Sequence, residues 1–147
     1  MPATPGTAVY LEVGAKRVFA GALDWPGWCR SGRSDDAALQ ALLAAAHRYS
    51  RALERAGLDF TPPAAVTDFV VAERLQGGAG TDFGAPEVPP AADAAPVDSG
   101  ALRRLLAVLD ACWRAFDAAA AGAEGRELRK GPRGGGREAP AIVRHVL

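Results

Sequence analysis

The sequence predicts an α+β fold: a small antiparallel sheet with one long helix packed on it, then a linker and C-terminal helices. Three observations carry that prediction. Period-two apolar spacing fills residues 8–30, a 3.6-period apolar stripe runs from Leu39 to Leu53, and a second such stripe begins at Leu102 after a stretch rich in Pro, Gly and Ala.

Ala8 to Val13 alternates as a first strand, with Val9, Leu11 and Val13 on one face and Tyr10 and Glu12 on the other. Gly14-Ala15-Lys16 turns it into a second run, where Val18, Ala20 and Ala22 alternate with Phe19 and Leu23. Asp24-Trp25-Pro26-Gly27 then forces a bend, because proline fixes φ and glycine accepts positive φ cheaply. Trp28-Cys29-Arg30 is a short third strand that ends at Ser31-Gly32-Arg33.

Ser34 starts the first helix by accepting hydrogen bonds from otherwise orphaned amides, and Asp35 and Asp36 complement its dipole. Leu39, Leu42, Leu43, Ala46, Tyr49 and Leu53 form the face to be buried, with Arg48, Arg51 and Arg55 opposite, and Gly57 supplies the stop. A helix over residues 34–56 spans about 35 Å, whereas six-residue strands reach about 20 Å. The helix should therefore overhang its sheet, and another element must cover Tyr49 and Leu53.

Residues 66–75 (VTDFVVAERL) read as a fourth strand, and Gln76 to Gly100 as a flexible or extended linker too poor in large apolar groups to repay its ordering entropy. Asp98 and Ser99 cap a second long helix over 101–121, whose stripe is Leu102, Leu105, Leu106, Leu109, Cys112, Trp113 and Phe116. That stripe is the expected cover for the first helix. A Gly and Arg rich loop, Glu124 to Arg137, precedes a last helix over 139–147, which stops in mid-pattern. Either that tail docks firmly or the chain is the front part of a longer protein, and the second is the expectation.

The 147 residues suffice for one ordinary domain, or a small one with an appendage. With 17 basic and 17 acidic side chains there is no global field to recruit nucleic acid. Residues 76–99 hold acidic side chains and no basic ones, while residues 100–147 are mildly basic. Cys29 and Cys112 have no metal-ligand or CxxC spacing and read as reduced, buried thiols. No signal-peptide pattern and no apolar run near the ~20 residues of a membrane span is present, so the expected location is cytoplasmic and no membrane partner is expected. The Ala, Gly, Arg and Pro bias suggests a GC-rich bacterial source.

Asp24-Trp25-Pro26-Gly27, then Gly32 with Ser34, then Ala38-Leu39 at the head of a helix, resembles the N-terminal domain of the HicB-like, antitoxin-related family over about residues 7–75. That family's pattern is a strand ending in Asp-Leu-Pro-Gly, a short strand, a Gly and Thr turn, and a helix opening with Glu-Glu-Ala-Leu. The resemblance implies strand, strand, strand, helix, strand, and a non-catalytic protein-interaction module. No ribbon-helix-helix or helix-turn-helix reader follows, which places that role outside operator binding. From Ala101 onward the chain resembles, more weakly, the DinB-like helical bundles associated with metals, through Trp113, Phe116 and the helix Ile142 to Leu147. This resemblance implies the front part of a metal-dependent enzyme with His145 as a ligand to a divalent cation.

Candidate sites follow. The bend residues Asp24, Trp25 and Trp28 are candidates for partner binding, Trp25 as an exposed contact and Trp28 closer to the core. Lys130, Arg133 and Arg137 in the Gly and Arg loop are candidates for anion contact, through guanidinium groups and backbone amides, although the GxxxxGK[ST] order is absent. A divalent metal needs three or more ligands, and His145 is one; His47 reads as a solvated helix-flank residue. No residue is assigned a catalytic role, since Cys29 has no histidine that the pattern places beside it. Strand pairing along Ala8 to Val13, read as an edge, would join the chain to a partner protein or to a second copy.

Overall fold

The computed structural model describes residues 6–131 and 136–147. Its first half is an α+β unit in the chain order β1 (Thr7–Val13), β2 (Val18–Ala22), β3 (Cys29–Gly32), α1 (Asp35–Leu53) and β4 (Phe69–Gln76). The sheet is mixed, in the order β3-β2-β1-β4. β1 and β2 pair antiparallel, as do β2 and β3, but β4 runs parallel to β1, with a bulge that begins after Val9 and leaves Ala72 unmatched.

Two expectations change with that register. The sheet is not wholly antiparallel, because α1 carries the chain back across one face and returns it in the direction in which β1 started. β1 is not an edge either: it is bonded on both sides, so strand addition along Ala8 to Val13 is closed to any partner. The free edges belong to β3 and β4.

One face of the sheet, Val9, Leu11, Val18, Ala20 and Ala22, is buried against Ala38, Leu39, Leu42, Ala45 and Ala46 of α1. Ser34 Oγ accepts from the Ala37 amide, the expected cap. A Cβ on Gly32 would lie 2.5 Å from the Ala37 carbonyl carbon, so glycine is what lets β3 run directly under the first turn of α1. The helix ends at Leu53, earlier than Gly57 suggested.

The distal apolar residues of α1, Tyr49 and Leu53, are buried, and two elements cover this end of the helix. Trp28 stacks on Tyr49 with ring centroids 5.9 Å apart, and Phe60 closes over both rings at 5.2 Å. Tyr49 Oη donates to the Pro26 carbonyl at 2.8 Å, fixing the bend whose Gly27 has φ 88°. Further along, α3 (Ser99–Gly122) lays Val108 and Ala111 on α1, capped by the Asp98 carboxylate on the Ala101 amide.

Residues 77–98 do not leave the sheet. They run over its second face as a strap that contains a one-turn helix, α2 (Ala79–Phe83), and a 3₁₀ turn over Ala91–Ala94. The Asp82 carboxylate accepts from the amides of Ala15, Lys16 and Arg17 in the β1–β2 turn, and the Glu73 carboxylate accepts from the Ala91 amide. The last helix, α4 (Ala139–Val146), follows the Gly and Arg loop. Among the described residues no helix is long and apolar enough to cross a membrane.

Candidate interaction surface

The predicted bend residues are spent inside the molecule. Trp28 is 1% exposed, and its Nε1 donates to the Leu42 carbonyl at 2.9 Å, so it offers nothing to a partner and is corrected to a core residue. Trp25 is half-buried, edge-on to Phe60 at 4.9 Å, with the Arg104 guanidinium 4.2 Å above its ring. Arg104 also donates to the Asp24 carbonyl. The bend therefore holds α3 in place through a cation–π contact and a charged hydrogen bond, while Asp24 and Pro26 stay exposed.

The expected stripe on α3 splits in two. Arg104, Leu105, Val108, Ala111 and Cys112 turn toward α1 and the bend. Leu102, Leu106, Leu109 and Trp113 remain 50%, 53%, 53% and 37% exposed, and Phe116 packs edge-on against Trp113 at 5.9 Å. Their spacing of four, three, four and three residues is a heptad seam, which a straight helix presents as one continuous line. Scattered exposed leucines are ordinary, but four large apolar groups in register on one helix form a patch that water disfavours. Arg103, Asp110 and Asp117 flank it, with Asp110 bridged to Arg114.

At the end of α3, Ala120, Ala123, Glu124 and Glu127 face Glu138, Pro140 and Val143 across a cleft of about 700 Å³. His145 is exposed at the end of α4, and His47 is exposed on α1. Among the described residues no group of three or more His, Cys, Asp or Glu side chains could hold a metal ion. Lys130 and Arg137 are exposed, and Arg133 lies outside the described residues.

On the strap side of the sheet, Glu12 is fully buried. Thr81 Oγ1 donates to its Oε1 at 2.6 Å, the Glu87 amide to the same oxygen at 3.0 Å, and the Val88 amide to Oε2 at 3.2 Å. A carboxylate with three donors is a satisfied anchor. Tyr10 Oη and Cys29 Sγ lie 3.9 Å apart on the same face, and burial pushes both groups above their ordinary pKa values. For Cys29 that burial works against the thiolate form.

Sequence reasoning missed Glu12, Arg104 and the split of the α3 stripe. The heptad spacing of the stripe was a readable signal, since a helix that only covers a neighbour needs no 3.5 period. None of the protein-family models, curated proteins or solved structures compared with this chain matches it.

Proposed function

We propose that the chain is a non-catalytic protein-interaction module, a HicB-like α+β platform that presents α3 to a protein partner. The exposed seam of Leu102, Leu106, Leu109 and Trp113 carries this reading. Burying a large apolar side chain contributes about 1.5–3 kcal/mol, so four of them supply a binding surface without any catalytic group. The helix-on-sheet platform and the Asp24-Trp25-Pro26-Gly27 bend support the HicB-like part of the proposal, and the bend gives the platform a means of holding α3 rigidly.

A photo-crosslinking residue placed at Leu106 or Leu109 in the cells that make the protein tests this. Discrete adducts are expected from both positions and none from His47, which is exposed on the first helix. Equal labelling at all three positions, or no adduct at any, rejects the module.

The DinB-like alternative, the front part of a metal-dependent enzyme, is favoured by one observation: a seam on α3 beside a cleft to α4 is the inner face that a helical bundle would have. His145 would then be one ligand of a divalent cation. Purified protein that retains no stoichiometric metal after dialysis against zinc or nickel rejects it.

A further inference from the structure

At the end of the sheet opposite the bend, the last residue pair of the β2–β3 ladder is Val18 with Gly32. Arg17 and Arg33, the residues next to that pair, flank the end of the ladder and line one groove. Like charges gathered in one groove repel unless something neutralises them. Neither arginine forms a salt bridge among the described residues. Lys16 adds a third cation, and the groove lined by Lys16, Arg17, Ser31, Gly32, Arg33 and Asp82 has a volume of about 500 Å³. Its one carboxylate, Asp82, accepts from the three turn amides and forms no salt bridge with either arginine among the described residues. Arg17 is already positioned, since its Nη1 donates to Ser31 Oγ at 3.1 Å.

We propose that this groove binds the phosphate group of a small phosphate monoester. Two guanidinium forks beside the ends of neighbouring strands match phosphate oxygens in pairs, and the Lys16 ammonium adds a point charge. Ser31 contributes a hydroxyl to the same wall. The volume exceeds what a bare phosphate fills and falls in the range of small-ligand sites, so an organic moiety has room beside the anion. The strand ends and the Asp82-bound turn hold the cations in place before the ligand arrives, which lowers the ordering cost of binding. This site is independent of α3 and would stand if the interaction reading failed.

The test is titration of the full chain with inorganic phosphate and with phenyl phosphate, followed by calorimetry and by amide shifts of Lys16, Arg17 and Arg33. One-to-one saturable binding of phenyl phosphate is expected, with the shifts confined to those residues and their neighbours. Arg33→Gln and Arg17→Met should each weaken it by about tenfold or more, the factor that one hydrogen bond to a charged group carries. Arg48→Gln, remote on α1, should leave it unchanged. Arg33 makes no hydrogen bond from its side chain among the described residues, so its variant tests binding without disturbing the fold. Absence of saturable binding at millimolar ligand, binding of inorganic phosphate without the ester, or equal loss in Arg48→Gln would each overturn the proposal.

Discussion

Replacing Glu12 by alanine should detach the strap while leaving the α1 side of the sheet intact. The buried carboxylate receives one hydroxyl and two amide hydrogen bonds. Hydrogen bonds to a charged group contribute ~1.5–3 kcal/mol each, so the three together reach roughly 4.5–9 kcal/mol before costs. Against this stands the desolvation of a buried ion, several kcal/mol, which leaves a net of about 2–4 kcal/mol. The orphaned Glu87 and Val88 amides need not stay buried, because the strap can lift into water, and that escape limits the loss to strap docking. Hydrogen exchange at those two amides reads it directly: about 30- to 1000-fold faster exchange is expected, at tenfold per 1.4 kcal/mol. Leu42 and Ala46, inside α1, should keep their protection. Glu12→Gln, which retains one acceptor oxygen, should fall between the two. Unchanged exchange at Glu87 and Val88 in a folded Glu12→Ala protein, or an equal loss in α1, would refute the assignment of Glu12 as the anchor.

Acid should loosen the same strap at a second point. Hydrogen bonds from the amide of Lys16 above all, and from those of Ala15 and Arg17, hold the Asp82 carboxyl below its ordinary value. A depressed folded pKa means a contribution present above the unfolded value and lost as pH falls through the folded one. The Lys16 amide resonance should therefore titrate with a midpoint below that of an ordinary aspartate. Base acts on the two tyrosines in the opposite sense. Burial raises both Tyr10 and Tyr49, so the unfolded chain gives up these protons first and stability should fall as pH rises past 10. Tyrosinate absorbance at pH 11 should stay low until the protein unfolds, and early ionisation would contradict the buried placement. Arg104→Ala removes the contact over Trp25 and the bond to the Asp24 carbonyl, and should cost about 1–3 kcal/mol in urea unfolding. Arg104→Lys should recover part of that, since a lysine keeps the charge but not the planar fork.

The sequence made one side of the sheet legible and hid the other. Val9, Leu11, Val18 and Ala20 alternate because they face α1, and the leucine stripe of α1 answers them with period 3.6, so both periods report the same buried surface. Glu12 lies on the polar phase of β1, where a carboxylate ordinarily meets water. Its burial depends on backbone amides of Glu87 and Val88, and amides leave no mark on side-chain patterning. The strap looked like a linker for the same reason: its grip comes from Asp82, Thr81 and main-chain donors instead of large apolar groups. The parallel sense of β4 was also invisible, because a strand's pattern is unchanged when its direction reverses. At the candidate site, the α3 stripe was readable as a stripe, but which of its residues α1 would claim depended on how Arg104 meets Trp25.

The parallel pairing of β1 with β4 sets an order of events during synthesis. Val9 finds its neighbour Val71 only after 61 intervening residues have emerged, whereas β1, β2 and β3 can zip together from local turns. Until then the middle of the finished sheet is a raw margin, open to neighbouring nascent chains. Products that terminate before Phe69 should accordingly precipitate even though they contain all of α1, and slowing translation between α1 and β4 should lower the soluble yield of the whole chain.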